Sequence, residues 1–279
     1  MNSDNHNEFV ERRPTFEEAY LLAGSKNLKS LTQIASKIRD RGHGNIISYS
    51  RKIFIPLTKL CRDVCHYCTF SRDPLQNQQS YMRPEEVMEL VHEGEKYGCP
   101  SVEPQGTNEP FLDPNLESYI KFASDHGFMD IMLNTNATLL SEQRSRKFLK
   151  SGVTRVRFSL DAATKETYEK LRLGGKWDNI NRNLECIAEL KQQHNFKFEL
   201  HMVVQKDNWQ EIPTMIELGK QLGTDKIYFN KIQDWNTGQN INEVLPPDNE
   251  EYNSIRSYIQ KLQVQEVNSD TFFLRLRNL

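Results

Sequence analysis

Cys61, Cys65 and Cys68 fall in one short stretch, Cys61-Arg62-Asp63-Val64-Cys65-His66-Tyr67-Cys68, with C-x3-C-x2-C spacing. Thiolates are soft ligands, and three on so short a loop can converge on zinc or on an iron–sulfur cubane. A structural zinc site closes with four ligands. His66 is at hand as a fourth, but its side chain lies between two ligands in a tight turn. An electron-transfer cubane normally takes four cysteines, whereas the two that remain here, Cys99 and Cys186, are isolated along the chain. The spacing therefore points to a [4Fe-4S] cluster held through three of its irons, with the fourth iron open to an outside chelator. Clustering by accident is disfavoured, because exposed thiols without a role are a liability.

A loop of this kind needs a rigid frame, and the residues around it describe one. It follows a β-like run, Ile53–Leu57; with Val102–Gln105, Asp130–Asn134, Val156–Leu160, Phe198–Val204 and Lys226–Asn230 this makes six expected strands. Between them, Pro84–Tyr97, Leu116–His126, Ser141–Lys150, Asn179–Gln193 and Ile212–Leu222 carry helical periodicity. Such alternation predicts an α/β fold of right-handed βαβ units on a parallel sheet. Ser141 is placed to cap a helix start, and Gly98, Gly127, Gly152 and Gly223 fall where helices commonly stop. Residues 14–41, with Phe16, Tyr20, Leu21, Leu28, Leu31, Ile34, Ala35 and Ile38 at three- and four-residue steps, predict two helices ahead of the first strand. The tail from Asn236 reads as loop, then a helix around Glu250–Gln263 and an apolar run, Phe272–Leu276. The expected parts are an N-terminal helical extension over 1–48, a core over 49–235 and a C-terminal helix and tail over 236–279.

Composition narrows the partners. Lys and Arg total 36 against 38 Asp and Glu, a net charge of -2. With no basic excess to cover a polyphosphate backbone, nucleic acid is not an expected partner. No stretch approaches the roughly 20 apolar residues that span a bilayer, so no membrane is expected either. The start, MNSDNHNEFVERRP, lacks the positive and then apolar pattern of a secretory signal. Together with the clustered cysteines this predicts a reducing, cytoplasmic setting.

The spacing C-x3-C-x-aromatic-C after a strand resembles the signature of radical S-adenosylmethionine (SAM) enzymes. That resemblance implies a partial (β/α)6 TIM-like barrel with N-terminal helices, a [4Fe-4S] cluster on Cys61, Cys65 and Cys68, and SAM chelated to the open iron. The bound SAM is cleaved to methionine and a 5′-deoxyadenosyl radical that abstracts hydrogen from substrate. Later segments match by position at the ends of expected strands, where barrel enzymes place their sites. Gln105-Gly106-Thr107-Asn108-Glu109-Pro110 resembles the family's Gly-Gly-Glu segment, with Thr107 and Asn108 in place of glycines. It implies Glu109 as acceptor of the SAM amine; a loop carboxylate capping a turn is the alternative. Asn134-Thr135-Asn136-Ala137 resembles the Thr-Asn-Gly turn, with Ala137 where glycine is usual, so Asn136 either faces the cofactor or closes the turn. Ser159 and Arg172 resemble the residues that contact the SAM ribose and carboxylate; an exposed helix-end charge is the alternative for Arg172. Tyr67 would lie against the adenine or pack beneath the loop. Cys99 and Cys186 read as buried inert thiols, and Arg144, Arg146, Lys147 and Lys150 as a solvated helix face.

Two subfamilies share the likeness. Residues from about Leu21 to Phe70, through Tyr49-Ser50-Arg51-Lys52-Ile53-Phe54-Ile55-Pro56-Leu57-Thr58-Lys59-Leu60-Cys61, resemble the start of FO synthase, the enzyme of the deazaflavin 7,8-didemethyl-8-hydroxy-5-deazariboflavin. From Val102 to Asn230 the likeness turns toward SPASM and twitch proteins, which modify peptides or small metabolites. The resemblance implies a small-molecule or peptide substrate, an electron donor such as flavodoxin or ferredoxin, and the partner half-enzyme of FO synthase. An iron–sulfur electron carrier and a zinc-stabilised binding module are the alternatives from other classes.

Overall fold

In the computed structural model, residues 24, 27–44, 51–61, 64–65, 81–105, 108–231, 253–254, 257–258 and 273–277 are described. The chain divides into two units, residues 1–50 and 51–279. In the first, α1 (Leu28–His43) is capped by Asn27, whose side chain accepts from the Ser30 amide at 3.1 Å. The earlier of the two expected helices lies outside the described residues.

In the second unit the elements run β1 (Lys52–Phe54), β2 (Val64–Cys65), α2 (Pro84–Lys96), β3 (Ser101–Glu103), α3 (Leu116–Asp125), β4 (Asp130–Thr135) and α4 (Glu142–Lys150). They continue with β5 (Arg155–Ser159), α5 (Lys165–Leu171), β6 (Arg172–Leu173), α6 (Trp177–Lys191), β7 (Lys197–Val204), α7 (Ile212–Gln221), β8 (Lys226–Lys231) and β9 (Phe273–Arg277). Seven strands form one sheet in the order β1-β3-β4-β5-β7-β8-β9, every pair parallel. Spatial order follows chain order without reversal. A doubly wound sheet would reverse at a switch point; steady progression in one direction is the pattern of a barrel. All six expected strands are present, and the apolar run at the end of the chain supplies the seventh. Of the expected helix around Glu250–Gln263, the described residues Asn253, Ser254, Ser257 and Tyr258 are helical.

Alternation along the strands sets which face meets the helices. On β5, Val156 and Phe158 are buried outward, as are Phe198, Leu200, Met202 and Val204 on β7; they join Val87, Ile120, Phe148, Leu184, Ile187 and Met215 in one apolar core. Gly94 and Gly219 mark close helix–strand approaches: a Cβ at Gly94 would run into Ile53 Cδ1, and one at Gly219 into Ile227 Cδ1. Several inward positions carry charges that meet in pairs. Lys52 meets Glu103 at 2.6 Å, Arg155 meets Asp130 at 2.9 Å, and Arg157 meets Glu199 at 2.9 Å while lying 4.0 Å over the Tyr228 ring.

Ser141 caps α4, accepting from the Arg144 amide, and the four expected helix-stop glycines have φ between 62° and 101°. One expectation for α4 is corrected. Arg144 is not part of a solvated face: its guanidinium reaches Glu117 at 3.0 Å and the Phe111 and Asp113 carbonyls, because the helix turns this residue toward the loop after β3. Among the described residues no helix is long and apolar enough to cross a membrane.

Candidate active site

The loops that follow β3 and β4 meet the loop that carries Cys61. That loop is stitched down by the main chain: Leu60 N donates to Thr58 Oγ1 at 3.1 Å, and Glu109 N donates to Leu60 O at 3.0 Å. Glu109 is 1 % exposed. Its carboxylate accepts from Phe111 N at 3.1 Å, Thr135 Oγ1 at 2.8 Å and Asn136 N at 2.8 Å. It therefore caps the 3-10 turn Pro110–Leu112 and also ties the β3 loop to the β4 loop. One residue thus caps the turn with its side chain and meets the cysteine loop with its main chain.

Asn136 likewise does two things. Its Oδ1 closes the turn, accepting from Thr138 N at 3.0 Å and Thr138 Oγ1 at 2.7 Å, while its Nδ2 lies 3.7 Å from Cys61 Sγ as donor. The turn continues through Ala137, at φ 61° in the left-handed region that favours glycine; its amide donates to Thr135 Oγ1, and its carbonyl accepts from Asn183 Nδ2. The sequence departure from glycine is thus tolerated with the glycine conformation retained.

The other half of the site is built around Arg172. It is 3 % exposed and its Nη2 lies 2.7 Å from Oδ2 of Asp161, itself fully buried. The exposed-charge reading of Arg172 is overturned: β6 pairs antiparallel with β2, setting Arg172 opposite Cys65 in register, which carries the residue inward against the cysteine segment. Asp161, at φ 62°, also accepts from Val203 N, and Asn208 Nδ2 donates to the Asp161 and Val203 carbonyls, all at 2.8 Å. These bonds clamp the loops after β5 and β7. Ser159 ends β5 on the inward side, in register with His201 of β7. Nε2 of His201 is 2.7 Å from Asn230 Nδ2 of β8. Burial holds the His201 pKa down at about 4, outweighing the attraction of Asp161, with Arg157 and Arg172 pushing in the same direction as burial.

The structure thus brings Cys61, Glu109 and Asn136 together, and sets Arg172 against the backbone of Cys65. The Cys65 side chain, and all of Tyr67 and Cys68, lie outside the described residues. Cys99 and Cys186 pack partly buried at the core edge, and burial raises the Cys186 thiol pKa, as befits an inert thiol. Sequence reasoning did not assign Thr135, Asp161, His201, Asn208 or Asn230. Asp161 carried a signal, an acidic residue at a strand end eleven residues before Arg172.

A family profile described as the radical SAM superfamily matches residues 55–219. The chain belongs to the radical SAM superfamily. Radical SAM proteins use a [4Fe-4S] cluster and SAM, and solved members share this fold. Streptococcus suis SuiB bound to SAM superposes with a TM-score of 0.65 at 16 % identity, over 91 % of this chain and 57 % of that one. AnSMEcpe with bound SAM gives 0.65 at 18 % identity, over 80 % and 63 %. At the sequence level, FO synthase of Mycobacterium tuberculosis is 41 % identical over 93 residues, 28 % of this chain and 11 % of that protein. The 7,8-didemethyl-8-hydroxy-5-deazariboflavin synthase of Methanopyrus kandleri is 37 % identical over 83 residues, 30 % of this chain and 24 % of the relative. The matched stretch is therefore a small part of either curated relative. The donor chemistry fits the radical SAM cofactors: a cysteine sulfur beside an amide N–H, and a buried carboxylate and guanidinium of opposite charge suited to the two ends of an amino acid.

Proposed function

We propose that this radical SAM enzyme holds its cluster on Cys61, Cys65 and Cys68 and acts in deazaflavin biosynthesis. The observation that carries the substrate reading is the 41 % identity to FO synthase over 93 residues. Cluster and SAM together supply a 5′-deoxyadenosyl radical at the expense of one electron, for which reduced flavodoxin or ferredoxin is the proposed donor.

The chain's own residues bind and orient. Glu109, fixed by three donors, is the proposed acceptor for the SAM amine, and Arg172, aimed by Asp161, the proposed partner of the SAM carboxylate. Ser159 faces the ribose and Tyr67 the adenine in this reading. The polar barrel interior, with a neutral His201, receives the substrate and keeps the reacting atoms away from bulk water.

The test is anaerobic reconstitution followed by SAM and dithionite, with 5′-deoxyadenosine measured. Release of 5′-deoxyadenosine is expected from the native chain and not from Cys65→Ala. With tyrosine, the ribityl-diaminouracil substrate and the partner half-enzyme of FO synthase, the fluorescent deazaflavin should form. Active SAM cleavage without fluorescence would favour a second reading, modification of a peptide or small metabolite. That reading is supported by the fold likeness to SuiB, which has been solved bound to its precursor peptide SuiA and aligns over 96 % of this chain.

A further inference from the structure

We propose that Asn136 is a positioning residue whose carboxamide N–H donates to the Cys61 sulfur and thereby raises the reduction potential of the cluster; this rests on Cys61 being a cluster ligand.

The orientation of the carboxamide is fixed by its partners. Oxygen and nitrogen of an Asn side chain are assigned from their partners, and here one partner is decisive. The Thr138 main-chain N–H can only donate, and it points at this group from 3.0 Å, so that end must be Oδ1. Thr138 Oγ1 adds a second bond to the same atom at 2.7 Å. The amide nitrogen is left facing Cys61 Sγ at 3.7 Å, within reach for a sulfur acceptor.

The group cannot readily turn away. Asn136 is 6 % exposed, its own amide is fixed to Glu109 Oε2 at 2.8 Å, and Ala137 beyond it is locked in a left-handed turn. In so dry a setting the dipole acts at low dielectric. Reduction adds one negative charge to the cluster and its sulfurs. An N–H donor aimed at one of those sulfurs stabilises the reduced state more than the oxidised one, and hydrogen bonds to sulfur are among the established determinants of cluster potential.

This gives Asn136 a task distinct from contact with SAM, and the choice of variants separates them. Asn136→Asp keeps the oxygen that closes the turn on Thr138 but replaces the donor by an acceptor facing sulfur. Asn136→Ala removes both. Thr138→Val loosens the turn from its far side and leaves the donor in place. The full-length chain is reconstituted anaerobically, its iron content measured, and its midpoint potential determined by EPR-monitored titration without SAM. Asn136→Ala should shift the reduction equilibrium about tenfold toward the oxidised cluster, equivalent to about 59 mV for one electron. Asn136→Asp should shift it further, and Thr138→Val much less. Electron–nuclear double resonance of the native reduced cluster should also show an exchangeable proton coupling, lost in D2O and in both Asn136 variants.

A normal cluster with an unchanged potential in Asn136→Asp or Asn136→Ala overturns the inference, as does a native spectrum without that coupling or an equal shift in Thr138→Val. If neither Asn136 variant takes up iron, the native coupling decides. Failure of the reading beneath it looks different: Cys61→Ala would then still assemble a full cluster with the native spectrum.

Discussion

Ala137 is held at φ 61° with 1 % of its surface exposed, where glycine is the residue that pays no steric cost. Ala137→Gly relieves strain but loosens the unfolded chain and loses a buried methyl, so stability should change by no more than about 1 kcal/mol. Ala137→Val adds a β-branched side chain to the same conformation in a closed space and should cost about 2 kcal/mol or more, read by urea denaturation. Arg172 and Asp161 give a sharper case. Removing one member of a buried ion pair strands the other, so Arg172→Met should cost about 3–5 kcal/mol. Adding Asp161→Asn should recover part of that loss, since Asn tolerates the left-handed φ and still accepts from Val203 N. No recovery in the double variant would mean that the pair's charge is not what the site depends on. The C-x3-C-x2-C spacing of Cys61, Cys65 and Cys68 can be read directly because the spacing of residues on one loop is a local property. Asp161 stood out only as an acidic residue at a strand end, and Asn208 not at all, because their bonds join residues separated by 11, 42 and 47 positions, and no short motif records that.

At the scale of elements, the same rule separates what could be read from what could not. The five long helices show a period of 3.6 residues over several turns, β5 and β7 alternate with a period of 2, and all six expected strands overlap their expected ranges. The two-residue strands β2 and β6 are too short to have a period, and helix α5 is only two turns long. Yet the β2–β6 pair is what sets Arg172 opposite Cys65. Helix α2 shows how an element reaches the site without touching it. Gly94 lets the helix lie on β1, the strand leading into the cysteine loop, with no room for a methyl against Ile53 and Phe128. Gly94→Ala should therefore cost about 1–3 kcal/mol through overpacking. Because the strain falls on β1, the same variant should take up less iron on reconstitution. Ile53→Val in the Gly94→Ala background shortens the clashing side chain and should restore part of both, measured as melting temperature and iron per chain. Independent, additive losses would argue that the helix and strand do not meet this closely.

Across the sheet as a whole, parallel strands laid down in chain order put apolar side chains outward under the helices and most of the charged ones inward. A polar interior keeps most of its charges in pairs: Lys52 with Glu103, Arg155 with Asp130, Arg157 with Glu199. Among the described residues, His201 carries a burial cost there that the attraction of Asp161 does not offset. Burial lowers its pKa from 6.5 to about 4, so the folded protein keeps the ring neutral, and Asn230 Nδ2 donates to Nε2 in that state. Between those two values the unfolded chain binds a proton that the folded chain refuses. Stability is then complete above about pH 6.5 and falls steadily as the pH drops toward 4, the reverse of a histidine stabilised by an acidic partner. At pH 5 the loss attributable to this ring is at most about 2 kcal/mol, and less to the extent that water enters the barrel beside it. Asp225, whose carboxylate is stabilised by Lys191, the Phe198 amide and Lys197 against the cost of burial, adds its own loss only at lower pH, as it protonates. Urea denaturation at pH 7 and pH 5 separates the two. His201→Gln keeps an acceptor for Asn230 without a titrating ring, and should flatten the difference between those pH values while leaving the steeper fall below pH 4. An unchanged pH 5 deficit in His201→Gln would place the acid sensitivity elsewhere and return His201 to an ordinary solvated histidine.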